Sequence, residues 1–366
     1  MVNGRRKRRT SGRKPAMPLA MLIRVIAFAL IGFILVLPSA QARKRPVVVG
    51  YVATFKGLDV TIARTHLPSY THFNLAFANP DAEGAFVRDG EMTCMAGPGG
   101  AALDVDAVRA AVARLRAHGA KVLVSVAGGV IPGCSGDWKA LLRPEKRAAT
   151  AAALVALADT LGLDGIDVDL EGELLTAIDR AGDYVPFVAL LSEAMKARGK
   201  LLTCATASYE GGMIPTASIR YFDLVNVMSY DAIGPSWGQA GAEHATLAMA
   251  ERDLALWLAR GVAPERLVLG VPFYGYGFGG EAPNWSYRDI AARLAPAPEA
   301  DLIGSACAGC RYITYNGPAT IERKAALARA RAGGVMVWEL SQDTPDHALT
   351  RALHRGLSTP IERAND

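Results

Sequence analysis

Short apolar runs alternate with longer amphipathic stretches along most of this chain of 366 residues. Several of the runs are apolar almost throughout, which is typical of strands buried on both faces of a parallel sheet. The pattern predicts strands at residues 47–52, 71–78, 121–127, 165–170, 201–205, 224–229, 267–272 and 335–339.

Helical periodicity fills most of the intervals between these runs. It predicts helices over residues 104–118, 144–161, 184–198, 243–260 and 319–331. Asp104 and Pro144 suit helix starts, and glycines follow three of the predicted helix ends. Eight strands that alternate with helices predict a (β/α)8 barrel, the TIM barrel, rather than two doubly wound halves.

A Gly- and Pro-rich stretch near residues 275–317 is longer than an ordinary connection. We interpret it as a short insertion after the seventh strand, at the rim of the active face. Chemistry in such barrels lies at the C-terminal ends of the strands. Polar and aromatic residues directly after the apolar runs are therefore expected to form one site.

Composition and charge exclude several classes of protein. A hydrophobic fraction of 51% excludes a disordered or fibrous chain. The net charge of +5 arises from the first 42 residues, which hold eight basic residues and no acidic one. Subtracting those eight from the 40 basic residues leaves 32 against 35 acidic ones, a net charge of −3. The charge therefore gives no support for nucleic-acid binding.

Residues 1–42 have the pattern of an export signal. A basic stretch precedes an apolar run from Val25 to Leu37, and Ala40-Gln41-Ala42 offers small residues for cleavage. The run has 13 residues, whereas a membrane-spanning helix needs about 20. We expect a cleaved signal peptide, a mature domain over residues 43–366, and a secreted or periplasmic protein. An uncleaved leader would instead anchor the chain to a membrane.

Five cysteines follow the predicted leader, and an exported protein with that number is expected to hold two disulfides and one thiol. Cys204 lies in an apolar run and is interpreted as the buried thiol. Cys307 and Cys310 form a CxxC pair in a Gly-rich loop, and Cys94 with Cys134 would bridge two loops. A zinc ribbon would need a second CxxC pair.

The most specific feature is the segment DGIDVDLE at residues 164–171. Because strand side chains alternate, Asp167, Asp169 and Glu171 point to one face. Repulsion and desolvation should raise the pKa of at least one of these carboxyl groups, and Glu171, the outermost and longest, is the expected proton donor. Asp164 is out of phase and is assigned to structure.

Two other roles for these carboxylates are metal binding and salt bridging. Carboxylates alone can bind a divalent cation, but no nearby histidine completes a transition-metal set. Structural pairing with lysine or arginine would not favour so strict an alternation. Acid catalysis is the interpretation that the pattern favours.

The carboxylate segment resembles the DGxDxDxE signature of glycoside hydrolase family 18, the chitinase family. Segments on four other predicted strands also resemble motifs of that family, namely residues 125–129 (SVAGG), 228–231 (MSYD), 269–275 (LGVPFYG) and 334–339 (GVMVWE). In the first of these, Ala127 is either an extra small residue or a substituted glycine. The resemblance covers about residues 47–357.

The resemblance implies retaining hydrolysis assisted by the substrate. Glu171 would be the general acid and base, Asp169 would orient the substrate acetamido group, and Asp167 would tune Asp169. Tyr230 would bind the acetamido group, and no metal, nucleotide or organic cofactor is implied. The other implied or expected substrate-binding residues are Asp231, Trp338, Tyr51, Phe77, Trp237, Tyr274 and Met228.

The six histidines, among them His244, are scattered, and none pairs with serine or cysteine in a triad setting. The expected substrate is chitin or another N-acetylglucosamine-containing glycan, and neither a nucleic-acid partner nor a protein partner is evident. Three alternatives remain: the same chemistry on peptidoglycan, the same chemistry on the chitobiose core of N-glycans, or a chitin-binding lectin without turnover.

Overall fold

Eight parallel strands close into a barrel in the computed structural model, which describes residues 1–4, 12 and 45–358. The strands of the described residues are, in chain order, β1 (Val47–Ala53), β2 (His72–Ala78), β3 (Val87–Arg88), β4 (Glu91–Ala96), β5 (Ala102–Asp104), β6 (Lys121–Ala127), β7 (Gly165–Asp169), β8 (Leu201–Thr206), β9 (Leu224–Val227), β10 (Leu267–Pro272), β11 (Tyr274–Phe278), β12 (Asn284–Ser286), β13 (Leu302–Gly304), β14 (Tyr312–Thr314) and β15 (Gly334–Trp338).

The barrel order is β1-β15-β10-β9-β8-β7-β6-β2, with β2 closing on β1, and every neighbouring pair is parallel. All eight predicted strands are present, with ends that differ by at most two residues. The predicted TIM barrel is therefore confirmed.

Helices cover the outside of the barrel. In the described part of the chain they are α1 (Leu58–Arg64), α2 (Val105–Arg116), α3 (Trp138–Leu141), α4 (Pro144–Thr160), α5 (Gly172–Arg180), α6 (Tyr184–Lys196), α7 (Leu247–Ala259), α8 (Tyr287–Leu294), α9 (Pro318–Arg331) and α10 (Ala348–Ser358). Helix α7 begins later than residue 243, the predicted start, because the Thr246 side chain accepts from Met249 N over 3.0 Å and caps the helix there.

The register of the barrel brings polar side chains to one level. Ser125 of β6 lies opposite Asp167 of β7, and Asp167 lies opposite Thr203 of β8. Asp164, just before β7, accepts from Val122 N over 3.0 Å and from Lys121 Nζ over 3.1 Å. It holds the entry of the strand, as expected from its phase.

The insertion after β10 contains a four-stranded antiparallel sheet of order β12-β11-β14-β13, together with α8. A second small sheet, β3-β4-β5, follows β2. Disulfides join Cys94 to Cys134, with a Cα–Cα distance of 5.6 Å, and Cys307 to Cys310. Cys204 is a buried free thiol. Cys94 lies within strand β4 rather than in the loop that we expected.

The chain divides into two units, Met1–Arg45 and Pro46–Asp366. All the helices and strands above belong to the second unit. The predicted leader, residues 1–42, lies outside the described residues apart from positions 1–4 and 12. Among the described residues, no helix has the length and apolar character that crossing a membrane requires.

Candidate active site

Strand β7 carries the carboxylates along the inside of the barrel. Its polar and apolar residues alternate, so Asp167 and Asp169 face inward while Ile166 and Val168 pack outward in the main hydrophobic core. Asp167 and Asp169 are 0% and 3% exposed. Glu171 follows the strand, immediately before α5, and is partly exposed. The three carboxyl groups thus rise in steps from the barrel interior to its mouth.

Asp167 is held by four side-chain donors. Tyr51 Oη and Ser125 Oγ donate to its Oδ2 over 2.6 and 2.8 Å, and Thr203 Oγ1 and Asn226 Nδ2 donate to its Oδ1 over 2.5 and 3.3 Å. Burial raises the pKa of Asp167, and the four donors oppose that rise. The donors come from four other barrel strands and favour the ionised carboxylate.

Asp169 and Glu171 share a hydrogen bond between their carboxyl groups. Burial, followed by the charges of Glu171 and Asp167, raises the pKa of Asp169 well above its usual value. Burial, followed by the charge of Asp231, raises the pKa of Glu171 to about 7. One proton is therefore retained by this pair near neutral pH, which a general acid requires.

Aromatic rings form one wall of the site. The Trp338 ring stacks on Phe77 with centroids 5.5 Å apart and planes 27° apart. It also meets the edge of Tyr51 at a centroid distance of 5.5 Å. The Ala76–Phe77 and Trp338–Glu339 peptide bonds are cis. A partly exposed indole face beside the carboxyl groups can stack against a sugar ring.

The loop after β9 forms the opposite wall. Tyr230 is buried, and its Oη lies 3.8 Å from Met336 Sδ. Asp231, at φ +63°, accepts from Tyr274 Oη over 2.5 Å at its Oδ1 and from Trp237 Nε1 over 3.1 Å at its backbone oxygen. Trp237 remains 44% exposed. This wall presents a carboxylate and an indole to the cleft.

Two cavities meet at Glu171, and Met228, Tyr230, Asp231 and Trp237 line both of them. The first, of about 440 Å³, is also lined by Tyr51, Phe55, Phe77, Gly129, Val130, Asp169, Ala205, Met336 and Trp338. The second, of about 710 Å³, is also lined by Ala207, Ser208, Tyr209, Ala232, Met249, Arg252 and Asp253. An extended ligand that occupied both cavities would pass Glu171 at its middle.

The structure brings most of the predicted site residues to this cleft. Two of them line neither cavity: Asp167 lies deeper in the barrel than Asp169, and Tyr274 is buried behind Asp231. Sequence reasoning assigned no role to Thr203 or Asn226, which hold Asp167. A polar residue within an otherwise apolar barrel strand was the available signal for both.

The described residues contain no candidate metal site, since no group of three or more His, Cys, Asp or Glu side chains among them is placed to hold an ion. The carboxyl groups of β7 instead face hydroxyl and amide donors and one another.

A closed barrel with a buried carboxyl pair at the end of its fourth strand suits acid–base chemistry on a glycosidic bond. The chain belongs to the glycosyl hydrolases family 18, whose family model matches residues 47–343. It is chitinase-like, because several of the proteins that it resembles are named chitinases.

Among solved structures, the chain is similar to the GH18 chitinase ChiB from the chitin utilization locus of Flavobacterium johnsoniae. The TM-score is 0.72 at 30% identity, over 86% of this chain and 94% of that one. A chitinase from Bacteroides thetaiotaomicron gives a TM-score of 0.70 at 25% identity, over 86% of this chain and 96% of that one.

Two curated relatives extend the comparison. Nod factor hydrolase protein 1 of Medicago truncatula is 29% identical over 262 residues, which are 57% of this chain and 66% of that protein. Chitinase 63 of Streptomyces plicatus is 29% identical over 235 residues, which are 53% of this chain and 38% of that protein. The match thus spans less than two thirds of either relative.

Proposed function

We propose that this protein hydrolyses β-1,4-linked N-acetylglucosamine polymers, chitin or chito-oligosaccharides, with retention of configuration and with help from the substrate's own acetamido group. Glu171 is the general acid and then the general base. Its position where the two cavities meet, and a pKa raised to about 7, support this role. The chitinases among the similar proteins support the substrate class.

One observation carries the proposal for the acetamido group. Asp169 Oδ1 is buried and has no hydrogen-bond partner within the described residues. A buried acceptor that is left unpaired costs about 1–3 kcal/mol. The N–H of an acetamido group, on a sugar stacked against Trp338, would satisfy this oxygen and turn the acetamido oxygen toward the anomeric carbon. Because the acetamido oxygen would be held next to the anomeric carbon, it could act as the nucleophile in place of an enzyme side chain.

The proposed reaction conserves protons and bonds. Glu171 gives its proton to the glycosidic oxygen, the bond from that oxygen to the anomeric carbon breaks, and the acetamido oxygen bonds to the same carbon. The resulting oxazolinium ion is stabilised by the negative charge of Asp169. Water then attacks the anomeric carbon, gives a proton to Glu171 and restores the acetamido group. Tyr230 and Asp231 bind the distorted sugar.

The experiment is product analysis by mass spectrometry with three substrates: N-acetylglucosamine hexamer, glucosamine hexamer and peptidoglycan. Wild-type protein should release dimers and trimers from the acetylated hexamer alone, and Glu171→Gln should release none while it still binds the hexamer. Cleavage of the glucosamine hexamer would contradict substrate assistance. Cleavage of peptidoglycan alone would change the substrate, and binding without cleavage would make the protein a lectin.

We also propose that residues 1–42 direct export and are removed. The disulfide between Cys94 and Cys134 is consistent with an oxidising compartment. Intact-mass analysis of protein recovered from outside the cytoplasm should give the mass of a chain that begins at Arg43. A mass that retains the leader would contradict cleavage.

A further inference from the structure

A buried histidine stands behind the Asp231 wall of the cleft. His244 is 0% exposed, and its Nδ1 lies 3.5 Å from Asp231 Oδ1. Neither ring nitrogen has a hydrogen-bond partner within normal distance in the described residues. Burying an imidazole without hydrogen bonds is unfavourable, so the Asp231 carboxylate, which faces Nδ1, is its side-chain partner.

The backbone around His244 is fixed from several directions. His244 N donates to Thr314 Oγ1 over 3.2 Å, and Ala232 N donates to the carbonyl oxygen of His244 over 2.9 Å. The next carbonyl oxygen, that of Ala245, accepts from Asn316 Nδ2 over 2.7 Å and from Lys324 Nζ over 3.0 Å. These contacts fix the backbone from which the imidazole projects toward Asp231.

The His244 imidazole also packs against two tyrosine rings. Its ring centroid lies 5.4 Å from that of Tyr274 and 5.2 Å from that of Tyr276. Tyr274 Oη donates to the same Asp231 Oδ1 that faces His244. Two donors from behind the wall thus converge on one oxygen of the carboxylate, which fixes the direction of the other oxygen.

We propose that His244 is a positioning residue for the reaction: its Nδ1–H holds the Asp231 carboxylate in the orientation that the cleft requires. This inference rests on the proposed function for its kinetic consequences, but the contact itself is independent of the substrate. His244 touches none of the reacting atoms and acts through Asp231 alone.

The charge of Asp231 connects this contact to the general acid. Asp231 is the second cause, after burial, of the raised pKa of Glu171. A carboxylate that turned away, or took up a proton, would raise the pKa of Glu171 less. Loss of the His244 contact should therefore lower the pH at which Glu171 loses its proton.

The surroundings keep His244 neutral at ordinary pH. The titratable groups that face it are Asp231, Tyr274 and Tyr276 on the cleft side and Lys324 from α9. Burial lowers the pKa of His244, and the charge of Asp231 opposes the decrease. Burial also lowers the pKa of Lys324 to about 7. A neutral Nδ1–H tautomer is thus the form that donates to Asp231.

The test compares His244→Gln, which keeps an N–H donor, with His244→Leu, which does not. His244→Leu should lower kcat/KM for the acetylated hexamer about 10- to 100-fold. It should also shift the alkaline limb of the pH profile of kcat/KM to lower pH, by about half a unit. His244→Gln should stay within about 3-fold of the wild type. His72→Leu, at the opposite end of the barrel, controls for general destabilisation.

Equal loss in both His244 variants, with an unchanged alkaline limb, would overturn the proposal. A second measurement, NMR titration of the His244 ring, needs no turnover and also serves if the leucine variant fails to fold. In Asp231→Asn the His244 pKa should fall below its wild-type value, because the carboxylate charge is gone. An unchanged titration would overturn the contact, whereas an inactive wild type with the expected titration would overturn only the proposed function.

Discussion

Glu171 shares a hydrogen bond with Asp169, which lies two residues earlier and deeper in the barrel. The proposed general acid, Glu171, must be protonated to donate, so kcat/KM should fall as the pH rises through about 7, its pKa. A pH–rate profile with a soluble oligosaccharide measures this limb. A profile that stays flat from pH 6 to 9 would contradict the assignment of Glu171.

The same raised pKa has a consequence for stability. The folded protein holds the Glu171 proton more tightly than the unfolded chain, whose pKa is near 4.5, so this group's contribution to the free energy of unfolding falls as pH rises from about 4.5 to about 7. Glu171→Gln should therefore be more stable than the wild type at pH 8, by roughly 2 kcal/mol, and nearly equal to it at pH 4.

Urea unfolding at both pH values measures this difference. Glu145→Gln is the matched control, because Glu145 is an exposed residue of α4. A gain of similar size in both variants would show that the effect is not specific to the site.

Tyr51→Phe removes one of the four donors to Asp167. The loss of a bond to a buried carboxylate should lower the free energy of unfolding by about 1–3 kcal/mol and lower kcat about 10-fold. Tyr184→Phe is a matched control, since the Tyr184 hydroxyl is buried without a partner in the described structure. Thermal melts and steady-state kinetics of both variants test the difference, and equal effects would refute it.

Gly129 leaves room for the carboxyl group of Glu171, the proposed general acid. A Cβ atom built at Gly129 would lie 3.0 Å from Glu171 Oε1, closer than an ordinary contact. Gly129→Ala should therefore displace the Glu171 carboxyl group and lower kcat by about 10-fold, with a small change in melting temperature. Gly133→Ala, in the same loop with nothing within 4 Å of its Cβ, should keep wild-type kcat. Equal rates in the two variants would contradict this account.

The two disulfides should differ in their contribution to stability. Cys94 and Cys134 are 40 residues apart in sequence, whereas Cys307 and Cys310 are 3 apart. Because a longer closed loop restricts the unfolded chain more, Cys134→Ser should cost about 4 kcal/mol and Cys307→Ser about 2 kcal/mol. Urea unfolding of both variants, without reductant, tests the order. The reverse order would show that native contacts outweigh chain entropy.

The barrel could be predicted because its strands are buried on both faces. Runs such as Leu267–Pro272 are apolar throughout and have well-marked ends, so their number and order followed from the pattern. The carboxylates of β7 could be predicted from their alternation, which any strand imposes on its side chains.

Other features depend on contacts between distant segments, which a one-dimensional pattern does not contain. Strand β4 and helix α1 are not evident from the sequence, because β4 pairs with strands of two and three residues and α1 has seven residues, too few for a clear helical period. His244 had no recognisable partner in the sequence, because its neighbours Asp231 and Tyr274 come from separate elements. Tyr274 follows a barrel strand, yet its side chain lies behind Asp231 rather than in the cleft.

The four donors around Asp167 also bear on how a lineage of this protein would lose its activity. Loss of Asp167 would leave hydroxyl and amide groups from four strands unpaired in the barrel interior, so selection for folding alone opposes it. Glu171 stands at the mouth and is partly exposed, and its replacement relieves a crowded charge. A descendant that kept only glycan binding would therefore lose Glu171 first and retain Asp167 as a remnant of its enzymatic ancestry.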